Sequence, residues 1–99
     1  MKKVDYTQAI EALLNGKIVK RSIHLEGTFI FRQVPSEIFS DVIPKMTSLP
    51  QSVKDEFAKR EATSIKYDNQ FAIVDIDNNI QGWKPEPQDF LAKDWIIIE

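Results

Sequence analysis

The chain has 99 residues, 42% hydrophobic and 28% charged, which fits one globular domain and excludes global disorder. It has no cysteine and one histidine, so disulfides, thiolate metal sites and a cysteine nucleophile are excluded and zinc is disfavoured. A formal net charge of −2 argues against a binder of DNA or RNA polymers, and no apolar run approaches the ~20 residues of a membrane span.

Asp5-x-x-Gln8 has the form of a helix N-cap with its reciprocal partner. Tyr6, Ala9, Ile10, Leu13 and Leu14 then form a helical stripe, and Gly16 stands where a left-handed cap ends it. Lys17 to Arg21 reads as a strand centred on Ile18 and Val19. Ser22 to Gly27 reads as a loop holding His24. Thr28 to Val34 alternates, with Phe29 and Phe31 on one face and Ile30, Arg32 and Val34 on the other, and stops at Pro35.

Pro35, Pro44 and Pro50 break up the middle of the chain. A helix is expected over Gln51 to Arg60, with Leu49, Val53 and Phe57 four apart on one face. Ile65 to Tyr67 and Phe71 to Ile76 read as strands, with Asp68-Asn69-Gln70 as a turn between them. Asp77-Asn78-Asn79 is a clearer turn, because Asn tolerates positive φ. Ile80 to Trp83 is the returning strand. Pro87 opens a short helix through Ala92, and Trp95 to Ile98 is a final strand, read as buried. The expected fold is one α+β domain over residues 1–99, a small, mostly antiparallel sheet packed by two or three short helices.

Charge is unevenly spread. Residues 1–34 carry six Lys/Arg against three Asp/Glu, and residues 68–99 carry two Lys against seven Asp/Glu. The basic third suits a small anion or the acidic third of a neighbouring subunit; uneven surface solvation is the plainer reading. The polar opening Met1-Lys2-Lys3-Val4-Asp5 lacks the apolar core of a signal peptide, which fits a cytoplasmic protein.

Catalytic chemistry has little support. Asp75-x-Asp77-x-Asn79 echoes a calcium loop, but Ile80 stands at its sixth position, where glycine is required. Ser22, His24 and an aspartate can be drawn as a triad, yet no nucleophile-elbow motif accompanies them. Three glycines do not form a phosphate loop. No cofactor and no metal are expected, and the chain reads as a binder.

Four blocks resemble one family: Tyr6-x-x-Ala9-x-x-x-Leu13-x-x-Gly16-Lys17-x-Val19-x-Arg21; Phe29-Ile30-Phe31-Arg32-Gln33-Val34-Pro35-Ser36; Ile43-Pro44-Lys45-Met46-x-Ser48-Leu49-Pro50-x-x-Val53-Lys54; and Tyr67-x-Asn69-Gln70 continuing to Gly82-Trp83-x-Pro85-x-x-x-Asp89-x-Leu91-Ala92-x-Asp94-Trp95. Together they resemble the second Thoeris anti-defence family of phages and prophages. The resemblance implies a non-catalytic sponge for a cyclic nucleotide immune signal. In that family the signal is of the cyclic ADP-ribose type, and some members take the cyclic oligonucleotides of the related CBASS defence. It also implies a homotetramer with pockets between subunits. His24 stands where the family usually has Trp, and Glu86 where it often has Ser; both departures bear on the choice of ligand.

The candidate ligand-binding residues are Arg21, His24, Tyr67, Asn69, Gln70 and Trp83. Arg21 offers a planar fork to a phosphate, or is a strand-end surface charge. His24 stacks on a base, donates to phosphate, or is an ordinary loop residue. Tyr67, Asn69 and Gln70 offer a ring and amides to a base edge, or serve turn chemistry. Trp83 is a stacking platform or core. Asp89 reads as a helix-end residue and Trp95 as core. Two other functions remain open: an enzyme that degrades cyclic nucleotides, and an inhibitor that binds a host protein without a small ligand.

Overall fold

The computed structural model describes residues 2–68 and 70–98. Strand β1 (Lys3–Val4) leads into helix α1 (Tyr6–Leu14) through a reciprocal cap. The Gln8 N–H donates to Asp5 Oδ1 at 2.9 Å, and the Asp5 N–H donates to Gln8 Oε1 at 3.1 Å. Gly16, at φ +81°, ends the helix in the left-handed region. The Lys17 N–H closes that cap on the Ala12 carbonyl at 2.9 Å, so β2 runs over Ile18–Arg21 and starts one residue later than the sequence suggests.

The chain continues through β3 (Phe29–Gln33), β4 (Ser36–Phe39), a 3-10 turn (Ile43–Lys45), α2 (Gln51–Lys59), β5 (Ser64–Tyr67), β6 (Gln70–Val74), β7 (Ile80–Trp83), α3 (Pro87–Leu91) and β8 (Trp95–Ile98). These elements gather into two compact units, residues 35–68 and the remainder of the chain. The fold is α+β.

The larger unit is built on a six-stranded antiparallel sheet in the order β1-β8-β2-β3-β6-β7. Cross-strand partners share a face, so the register sorts the side chains. One face carries Val4, Trp95, Val19, Ile97, Ile30 and Ile73, and α1 lays Ala9, Ala12 and Leu13 against it. Leu13, Val19 and Ile30 are fully buried there, and Trp95 is 1% exposed. The opposite face carries Ile18, Ile96, Ile98, Phe29, Phe31 and Val74, and no helix of this unit packs on it. Ile96 to Ile98 are therefore not uniformly buried as expected: all three are half-buried, Ile97 facing the helix and its neighbours the other side.

In the smaller unit β4 pairs antiparallel with β5, from Ser36↔Tyr67 to Phe39↔Ser64. Helix α2 follows Pro50 directly and presents Val53 and Phe57 half-buried. Two further differences from the sequence reading have local causes. Gln70 opens β6 instead of lying in a turn, because its amide Nε2 donates to Gln33 Oε1 across the ladder at 2.6 Å. β1 and β4 were not expected: two residues are too few for a periodic signal, and Ser36-Glu37-Ile38-Phe39 does not alternate.

The buried face predicts a sharp contrast. Leu13→Ala is expected to cost about 2–5 kcal/mol by leaving a cavity, whereas Ile80→Ala, at a side chain 65% exposed, should stay within about 0.5 kcal/mol. Urea denaturation of the two variants reads both values, and equal losses would contradict the assignment of faces.

Candidate functional site

Arg21 is the last residue of β2, opposite Trp95 on the helix-covered face. Its Nη1 donates to Asp89 Oδ1 at 2.9 Å, its Nε to Asp94 Oδ1 at 2.9 Å and its Nη2 to Asp94 Oδ2 at 3.4 Å. The guanidinium is buried, with side chains 11%, 12% and 22% exposed for Arg21, Asp89 and Asp94. One cation thus meets two carboxylates, a local charge of −1. Bonding to Asp94 raises the Arg21 pKa further and keeps it charged, and the same bond, with that from Ser22, holds the Asp94 carboxyl below its ordinary range.

Asp89 is the hub of the cluster. It is the third residue of α3, and its Oδ2 accepts the Glu86 N–H at 2.8 Å while Oδ1 accepts Arg21. Its backbone carbonyl accepts Trp95 Nε1 at 3.1 Å. Sequence reasoning took Asp89 for a helix-end residue and did not single out Asp94. Neither aspartate has a local signal for its partner, because Arg21 lies 68 and 73 residues away.

The segment after Arg21 is a tight turn. The His24 N–H donates to the Arg21 carbonyl at 3.0 Å, and the Arg21 N–H donates to His24 Nδ1 at 3.1 Å. His24 is half-buried, and burial lowers its pKa, with Asp89 opposing the shift and Arg21 and Lys20 adding to it. The imidazole is therefore favoured neutral, with Nδ1 as acceptor. The Ser22 hydroxyl donates to Asp94 Oδ2. Ser22 and His24 are thus turned to different partners, and Asp94, held low, is a weak base. This arrangement does not resemble a Ser–His–Asp relay.

Gln70 and Trp83 come together elsewhere on the same sheet. With Phe71, Gly82, Lys84 and Pro85 they line a cleft of about 660 Å³, within the ~300–1,000 Å³ usual for small-molecule sites. Trp83 is half-buried, standing edge-on to Trp95 at 5.8 Å and tilted against Phe71 at 6.2 Å. It is both a wall of the cleft and a flank of the core. Lys84 is exposed at the rim and was not singled out in the sequence; its place beside Trp83 was the available signal. Tyr67 ends β5 in the smaller unit, half-buried opposite Ser36. Asn69 lies outside the described residues. Among the described residues no group of His, Asp and Glu is arranged to hold a metal ion, and no helix is long and apolar enough to cross a membrane. Asp75 instead accepts the Asp77 and Asn79 N–H groups at 2.9 and 3.0 Å, the bonding of a capped turn, with Asn78 at φ 67°.

Two outcomes follow from this geometry. Arg21→Ala leaves Asp89 and Asp94 without their cation and should destabilise the fold by about 3–5 kcal/mol, read as a lower urea midpoint. The second concerns pH. A histidine whose pKa is lower folded than unfolded takes up its proton more readily when unfolded, so acidification through its ordinary value near 6.5 favours unfolding. The wild type should be less stable at pH 5.5 than at pH 7.5, and His24→Phe should flatten that difference. An equal wild-type midpoint at both pH values would refute the assignment of a neutral His24.

The geometry can be set beside known families. The family described as Tad2-like, Thoeris anti-defense 2-like domain, matches residues 4–98. A comparison with curated proteins returned no match. The family match takes in both compact units, the Arg21–Asp89–Asp94 cluster and the cleft beside Trp83. On that coverage, the chain belongs to the Thoeris anti-defense 2-like family.

Proposed function

We propose that the chain is a phage or prophage anti-defence protein that binds a cyclic nucleotide immune signal in the host cytosol and holds it uncleaved. Family membership supports the anti-defence role. The ligand reading rests on one observation, the cleft beside Trp83. An aromatic face, an amide and a cation are what a nucleotide asks for: a stacking surface, a reader for the base edge and a counter-charge for phosphate. Trp83 is held by Trp95 and Phe71, so little side-chain freedom is lost when a base stacks on it. The Gln70 amide is steadied by Gln33, and Lys84 stands at the rim. The ligand is of the cyclic ADP-ribose type or a cyclic oligonucleotide.

Binding without turnover is favoured by the state of the polar groups. The Ser22 proton is directed to Asp94, and His24 Nδ1 is engaged by a backbone N–H. Neither group is set up as an activated nucleophile or a general base. Arg21 acts in this reading through position, fixing the turn that presents His24, while His24, Tyr67 and Asn69 remain candidate ligand contacts. The assembly proposed is a homotetramer.

Native mass spectrometry of the full chain with a panel of cyclic nucleotides tests this. One of them should bind, raise the melting temperature and be recovered at unchanged mass after heating. Trp83→Ala should weaken that binding by about 5- to 150-fold, the loss of ~1–3 kcal/mol of stacking. Linear product in more than stoichiometric amount would overturn the sponge in favour of an enzyme. No nucleotide binding, with a stable host-protein complex, would favour an inhibitor that takes no small ligand.

A further inference from the structure

The joint between α1 and β2 holds the one Asn-Gly step of the chain. Asn15 is followed by Gly16, whereas Asn69, Asn78 and Asn79 are followed by Gln70, Asn79 and Ile80. Asn15 is the C-cap of α1, and both it and Gly16 are exposed. Nothing lies within 4 Å of the point where a side chain on Gly16 would begin, so the nitrogen of this peptide bond is unshielded. Among the described residues the Asn15 side-chain amide makes no hydrogen bond. Asn79, by contrast, ties its amide to Asp75 Oδ2 at 3.1 Å and precedes a branched side chain.

We propose that Asn15 is a site of spontaneous modification, converting to aspartate and isoaspartate through a cyclic imide. The Gly16 nitrogen gives its proton to hydroxide and attacks Asn15 Cγ. The C–N bond of the side-chain amide breaks, and the nitrogen takes a proton from water and leaves as ammonia. Water then opens the ring. Breaking the bond from the Gly16 nitrogen to Cγ gives aspartate. Breaking its bond to the main-chain carbon routes the chain through Cβ and Cγ and gives isoaspartate. Water is the only co-reactant.

The folded cap sets the rate. A ψ of 11° at Asn15 keeps the Gly16 nitrogen out of line with Cγ. The Gly16 and Lys17 N–H groups are held by the Leu13 and Ala12 carbonyls at 3.1 and 2.9 Å. Ring closure needs both bonds open, a fraying of the last helical turn. The isoaspartate product then lengthens the main chain between α1 and β2, the strand whose Val19 is fully buried and whose Arg21 holds Asp89 and Asp94. Either product sets a carboxylate at the negative end of α1, whose last turn has no basic residue. Asn15 is thereby a slow clock on the stability of the larger unit. The inference rests on neither the ligand nor the assembly proposed above.

Ageing the full chain at pH 8 and 37 °C, followed by tryptic mapping, tests it. The peptide 4–17, released by cleavage after Lys3 and Lys17, should divide into the original and two products with –OH in place of –NH2, isoaspartate exceeding aspartate. The full chain unfolded in urea should convert at least about tenfold faster, since the folded cap opens only a small fraction of the time. Aged protein should melt below fresh protein, and Asn15→Ser, which cannot form the imide, should lose that difference with the circular dichroism of the wild type. An unchanged 4–17 peptide, or conversion confined to Asn69, Asn78 or Asn79, would overturn the proposal. Aspartate as the sole product would overturn the imide step, and equal rates in folded and unfolded chains would overturn the control by the cap.

Discussion

The buried contact of Arg21 with Asp89 and Asp94 ties together three segments that are distant in sequence: the end of β2, the first turn of α3 and the approach to β8. Taking a guanidinium and two carboxylates out of water is expensive, and such a cluster persists only when its geometry and remaining hydrogen bonds offset that cost. Both conditions hold here. Asp94 grips the guanidinium with two oxygens and also receives Ser22, while Asp89 divides its oxygens between Arg21 and the Glu86 N–H. The sheet and α3 are held in one relation by this cluster, and the Asp89 carbonyl then fixes the Trp95 indole.

From Trp95 the constraint reaches the cleft. Trp95 is buried with Tyr6 tilted against it and Trp83 standing edge-on, so the ring that walls the cleft is positioned from behind by the core. Packing on both Trp95 and Phe71 limits the side-chain freedom of Trp83. Around His24 the polar groups are engaged with one another, Ser22 donating to Asp94 and His24 Nδ1 accepting the Arg21 N–H.

The two faces of the sheet divide the work. One is covered by α1 and holds the buried core of the larger unit. The other carries Ile18, Phe29, Phe31, Ile96 and Ile98, all half-buried. The alternation in β3 makes both faces at once, Ile30 turning to the core while Phe29 and Phe31 turn away.

By itself the sequence determined what is local. Asp5 and Gln8 within one turn of each other cap α1, Gly16 ends it, Asn78 takes positive φ, and alternation or helical spacing marks most of the other elements within a residue or two, since each signal acts over a few residues. The α+β class followed from their order. Trp83 and Gln70 stand out in the sequence as candidate binding residues, but nothing local shows that they line one cleft. Tertiary structure alone decided that Arg21 meets Asp89 and Asp94, because a separation of 68 or 73 residues leaves no periodicity to read. It decided which isoleucines of β8 face the helices, because that depends on a register shared with β1 and β2. It also decided that His24 is favoured neutral, because the shift comes from burial and from charges that only the folded chain brings within reach.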